Sequence, residues 1–202
     1  MSESSGRSMA DERSIDVRTI EPRVPAADAV DRTKRMTLGR FLRTRFAEIV
    51  GREDSPKIYT AYYPDYLAYT TVTLYRYVGG NREIKFLAGI DAITGRVGEV
   101  DVELPERRFE GVDPATVLEP TLDEEEVATV WREWLWKYLD RKYRPVKRPE
   151  SSLDDLELVH VPYWIVDYGT KADSFAVSAL TRQAEHVEAI GPLAAYYDEA
   201  LS

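Results

Sequence analysis

Tyr62-Tyr63-Pro64-Asp65-Tyr66-Leu67-Ala68-Tyr69 and, further along, Val161-Pro162-Tyr163-Trp164-Ile165-Val166-Asp167-Tyr168 are two aromatic-proline strands in one chain of 202 residues. Each lies downstream of an amphipathic helical pattern. Each leads towards a short Ala-x-Thr segment, Asp91-Ala92-Ile93-Thr94-Gly95 in the first case and Ser178-Ala179-Leu180-Thr181-Arg182 in the second. A recurring supersecondary unit sets architecture before local propensities do. The reading is an α+β protein: two repeated helix plus antiparallel-sheet units at 37–104 and 121–202, a flexible N-terminal arm at 1–36, and a linker at 105–120. One continuous sheet or two packed lobes would both fit.

Working outward from the first strand, Leu38, Phe41, Leu42, Phe46, Ile49 and Val50 recur at helical spacing and predict a helix over 37–50, closed by Gly51. A short strand over 58–62 is expected to stop at Pro64. A long one follows over 66–78, rich in the Tyr, Thr and Val that suit a pleated surface. Alternation puts Tyr66, Ala68, Thr70, Val72, Leu74 and Val78 on a face turned to the helices. Leu67, Tyr69, Thr71, Thr73, Tyr75 and Tyr77 form a polar-aromatic, half-exposed face. Gly79-Gly80-Asn81 predicts a hairpin turn, and strands over 82–90 and 96–104 follow.

In the second unit Thr121-Leu122-Asp123-Glu124 reads as a capping box. It opens a helix whose Val127, Val130, Trp131, Trp134, Leu135, Tyr138 and Leu139 share one face, with Trp136 off it. A strand pair over 156–168 and 174–190 is expected, turning at Gly169-Thr170-Lys171 and breaking near Thr181-Arg182. A short C-terminal helix over 193–201 ends the chain. The aliphatics Ile15, Val17, Ile20, Val24 and Val30 show no period, and Pro22 and Pro25 interrupt them; hence the arm. Its two alternatives are a tail that orders on a partner and a short helix over 26–35.

The helix, the hairpin and the Asp91-Ala92-Ile93-Thr94-Gly95 turn, with Gly98-Glu99-Val100 after it, resemble the PepSY family of small α+β modules. The second copy resembles it in the strand 161–166 only, since its turn lacks the Asp and the Gly. The resemblance implies a regulator or inhibitor of a peptidase. Members are often extracellular or membrane-attached, whereas the start Met1-Ser2-Glu3-Ser4-Ser5-Gly6 carries no apolar export core.

Composition narrows the function classes. A net charge of −9 argues against binding the phosphate backbone of nucleic acid. The basic stretch 137–148 reads as a helix C-terminus and a solvated loop. No run approaches a membrane span, so a soluble, cytoplasmic protein is expected. Acidity, Arg in excess of Lys and the absence of Cys resemble proteins of salt-loving archaea. Without Cys there is no thiolate chemistry, and two histidines make a histidine-rich metal site an unattractive reading. No glycine-rich phosphate loop, dinucleotide fingerprint or calcium loop is present. No catalytic, cofactor-binding or metal-ligating residue is therefore expected. A hydrolase using His160 and His186, which a hairpin about residue 171 would bring within a few residues of one another, is an alternative. The leading expectation is a non-enzymatic interaction or assembly module. It would bind a protein partner or a second copy through an aromatic surface that includes Tyr69, Tyr75, Tyr77, Trp136, Tyr163 and Trp164, and through the arm.

Overall fold

A computed structural model describes residues 14–36, 56–75, 80–101 and 103–201. The helix expected over 37–50, and Tyr77, lie outside these residues. The described residues form an α+β fold of three α-helices and a mostly antiparallel sheet. They divide into two compact units, Met1–Tyr62 with Glu106–Leu118 and Pro162–Ser202, and Tyr63–Pro105 with Glu119–Val161. Neither is the contiguous segment expected from chain order: the first gathers its parts from three stretches, the second from two.

The second unit contains most of β2 (Lys57–Leu74), then β3 (Arg82–Asp91), β4 (Val97–Glu99), α2 (Glu124–Tyr143) and the first part of β6 (Glu150–Asp167). Its strand order is β4-β3-β2-β6. The alternation holds from Ala68 onward: Ala68, Thr70, Val72 and Leu74 are buried, while Tyr69, Thr71, Thr73 and, just after β2, Tyr75 are half-buried. It fails at Leu67, expected on the half-exposed face but buried like its neighbours Tyr66 and Ala68. Buried Val127, Trp131, Leu135 and Leu139 of α2 pack on the first face, forming one core with Ala88, Ile90 and Ala92. Burying such side chains contributes about 1.5–3 kcal/mol each. Inside this core the Trp131 indole N–H donates to Thr70 Oγ1 at 3.0 Å, so neither polar group is left unpaired.

The box that caps α2 uses Asp123 and Glu126, two residues beyond the expected pair. Glu126 N donates to Asp123 Oδ1 at 2.9 Å, and Asp123 N to Glu126 Oε2 at 3.0 Å. Thr121 and Leu122 are engaged elsewhere, both donating their backbone N–H to Ala92 O at 3.0 and 2.9 Å. Pro64 does not end a strand either. The ladder with β3 starts at Asp65↔Asp91, so the missing proline N–H falls just outside it and β2 runs through. Pro162 in β6 obeys the same rule: the ladder with β7 starts at Tyr163↔Ser178.

The first unit holds β1 (Ile15–Ile20), α1 (Ala26–Met36), β5 (Arg107–Val112), β7 (Phe175–Ser178), β8 (Ala184–His186) and α3 (Gly191–Ala200). Residues expected as an arm are thus a strand and a helix. β1 pairs antiparallel with β5, from Ile15↔Val112 to Ile20↔Arg107. β5 in turn lies in the stretch expected as a linker. Both strands are short, and each is stabilised by a partner remote in sequence, which local periodicity cannot reveal. Buried Ala29 and Thr33 anchor α1, and the Thr33 and Tyr168 hydroxyls hydrogen-bond at 2.9 Å. The return after β6 breaks where expected, between β7 and β8, and then continues as a 3₁₀ turn over Val187–Ala189 rather than a strand.

The two Ala-x-Thr turns carry the same bonds. Gly95 N donates to Asp91 O at 2.9 Å, and Arg182 N to Ser178 O at 3.1 Å. Asp91 Oδ1 accepts from Ile93 N and Thr94 N at 2.9 and 2.8 Å, and Ser178 Oγ from Leu180 N and Thr181 N at 3.3 and 3.2 Å. Ala92 N donates to Pro64 O at 3.1 Å, and Ala179 N to Pro162 O at 3.0 Å. Ala92 O takes the N–H of Thr121 and Leu122; Ala179 O takes those of Arg23 and Val24, at 2.9 and 3.0 Å. The fifth residue is left-handed in both turns, Gly95 at φ 69° and Arg182 at φ 63°.

Candidate interaction surface

In the second unit α2 covers one face of the sheet. On the other, among the described residues, β2 and the residue after it present a row of half-buried side chains: Tyr69, Thr71, Thr73 and Tyr75. The β2–β3 register sets Leu87 opposite Tyr69, Lys85 opposite Thr71 and Glu83 opposite Thr73. Directly paired residues of a sheet share a face, so Leu87 and Tyr69 make an apolar spot beside a charged one. From β6, Asp154 Oδ2 accepts from Thr71 Oγ1 at 2.5 Å, and Asp154 Oδ1 from Ser152 Oγ at 2.6 Å. These bonds, that of Ser152 first, hold the Asp154 carboxyl below its ordinary range. The Tyr75 hydroxyl donates to Glu150, which raises the tyrosine's pKa, and Lys147 Nζ lies 3.5 Å from the centre of the Tyr75 ring. The face is thus mixed, with aromatic, hydroxyl and charged side chains side by side and a cation over the Tyr75 ring.

The expected contact residues scatter. Tyr69 and Tyr75 belong to this face. Trp136 is on α2, half-buried and off the core stripe, with the Arg148 guanidinium 4.0 Å from its ring centre. In the first unit Tyr163 is half-buried on β6. Trp164 is a packing residue there: its indole N–H donates to Val24 O at 2.7 Å, and its ring lies against a small core of Ala29, Val166 and Val177. Leu87 was not singled out by its sequence. The hairpin spacing could have found it, because a turn near 79 sets a residue of the returning strand beside Tyr69.

The histidines do not form a pair across one hairpin. His186 stands opposite Phe175 on β7, and Phe175 stands opposite Val166 on β6. His186 is exposed, with Nδ1 3.1 Å from Ala172 O and its ring 4.3 Å from that of Phe175. His160 is buried. The acidic groups are structural in their bonding. Asp91 accepts the Tyr63 hydroxyl on both oxygens at 3.0 Å, besides the turn N–H groups and Thr94 Oγ1 at 2.5 Å. Asp65 faces it across the ladder, and burial, then the Asp91 charge, push the Asp65 carboxyl up to about 7. In the first unit Asp167 Oδ1 accepts from Gly169 N at 2.7 Å, Tyr197 OH at 2.8 Å and Ser174 Oγ at 3.0 Å. Burial alone would raise Asp167; these bonds outweigh it and hold the carboxyl below its ordinary range.

Among the described residues no three His, Cys, Asp or Glu side chains gather as a metal site. No described helix is long and apolar enough to cross a membrane. Compared with known proteins, the chain matches no family model, no curated protein and no solved structure.

Proposed function

We propose that this protein is a non-enzymatic interaction or assembly module, and that the Tyr69–Tyr75 end of the second unit's sheet, on the face away from α2, contacts a protein partner or a second copy. The observation that carries the reading is the half-buried row Tyr69, Thr71, Thr73 and Tyr75 with Leu87 beside it, on the face opposite the one packed by α2. Tyrosines on a rigid sheet bring large contact area at small entropic cost. The two units descend from one duplicated α+β module in this reading. Its support is the shared bonds of the Asp91–Gly95 and Ser178–Arg182 turns. PepSY-like regulation of a peptidase is the form of partner binding that the Asp91-Ala92-Ile93-Thr94-Gly95 resemblance implies. The test is Tyr69→Ala with Tyr75→Ala. Light scattering should show loss of self-association, or pull-down loss of the partner, at unchanged circular dichroism. An unchanged oligomer and unchanged partner recovery would reject the surface.

A further inference from the structure

A hollow of about 430 Å³ opens in the first unit between α1 and the β7–β8 turn. Its floor includes Val24 and Val177, both buried, with half-buried Ala184 beside them. Its rim carries three exposed arginines, Arg32 and Arg35 from α1 and Arg182 from the turn. Asp28 and Asp31 also line it, but no ion pair within 4.0 Å joins them to these arginines among the described residues. Three guanidiniums against two carboxylates leave the hollow net positive on a chain of net charge −9.

The second unit shows what this place looks like without that chemistry. The left-handed position of its turn is Gly95, and a side chain built there would meet Leu122 at 3.3 Å and Val130 at 3.9 Å. A hollow lined by Leu122 and Val130 is there too, but its charged groups are Asp123, Glu125 and Glu126. Glycine adopts φ 69° freely, whereas an arginine at φ 63° is strained. The turn itself therefore gives no reason for an arginine at 182. Strained non-glycine residues cluster at functional sites, and Arg182 extends the positive rim of the hollow.

We propose that this hollow binds an oxyanion, a carboxylate or a phosphate monoester, carried on a short apolar stem. Arg32, Arg35 and Arg182 take the anion, through the fork geometry that suits guanidinium to either group. Val24 and Val177 seat the stem. The volume is within the range of small-molecule pockets, and five of the nine lining residues are charged, which suits the hollow to a charged ligand. The site lies in the first unit and is independent of the tyrosine face.

The test titrates the whole chain with hexanoate, hexyl phosphate, hexanol and inorganic phosphate, following amide resonances of Arg182 and Ala184 by NMR. Saturable shifts with hexanoate or hexyl phosphate are expected, and the tighter of the two identifies the anion. Arg182→Gly should weaken binding at least tenfold while raising Tm, because glycine relieves the left-handed strain. Arg32→Gln with Arg35→Gln, which leaves the turn untouched, should weaken it likewise. Equal binding of hexanol would overturn the proposal, as would inorganic phosphate binding as tightly as hexyl phosphate. So would affinities unchanged in both variants. A change of oligomeric state in the arginine variants with ligand affinity intact would assign the hollow to a second copy and also overturn it.

Discussion

Replacing Asp65 by Asn should make the protein more stable at pH 8 and leave it unchanged near pH 4. Asp65 stands directly opposite Asp91 in the β2–β3 ladder. Asp91 is committed as an acceptor of the Tyr63 hydroxyl and of the turn N–H groups. Burial and this neighbouring charge raise Asp65 from an ordinary 3.8 to about 7 in the folded chain. The folded state then binds more protons than the unfolded one between these values. Whatever Asp65 contributes is present in full below pH 4 and is lost as pH rises through about 7. A displacement of this size corresponds to about 4 kcal/mol at most. Asp65 keeps part of its surface in solvent, and water weakens the repulsion, so about 2 kcal/mol is expected. Urea unfolding of both proteins between pH 4 and 8, at unchanged m-value, measures it. The stability difference should grow with pH and level off above 7. Parallel curves, or a variant less stable at pH 8, would refute the reasoning.

Leu135→Ala empties a fully buried site between α2 and the sheet and should cost about 3 kcal/mol in urea unfolding. Gly95→Ala forces a side chain to φ 69° with its Cβ 3.3 Å from Leu122. A loss of about 1–2 kcal/mol is expected, against a gain in Tm for Arg182→Gly at the corresponding turn position, and calorimetry of the two variants checks the pair.

The α2 helix and the faces of β2 were legible because their signals are local. Apolar residues three and four apart fix which side of α2 is buried, and alternation from Ala68 to Tyr75 fixes which side of the strand is, with Leu67 the exception because tertiary packing buries it as well. The α+β class followed from those two periods. The candidate face was half legible: Tyr69 and Tyr75 from alternation, but Leu87 only through strand register. Trp164 looked like a contact residue because nothing nearby in sequence announces its bond to Val24 O, 140 positions away.

By itself, then, the sequence determined the class of fold, the core stripe of α2, the faces of β2 and the two Ala-x-Thr turns. Tertiary structure decided the rest. Residues 15–36 form a strand and a helix because β5 and the β6–β7 region supply the hydrogen bonds and apolar surface they lack alone. The compact units cut across chain order for the same reason, since burial and ladder bonds reward proximity in space whatever the separation along the chain. Pro64 illustrates the point: local chemistry marks it as a strand breaker, but the ladder with β3 begins one residue later and so does not call on its missing N–H.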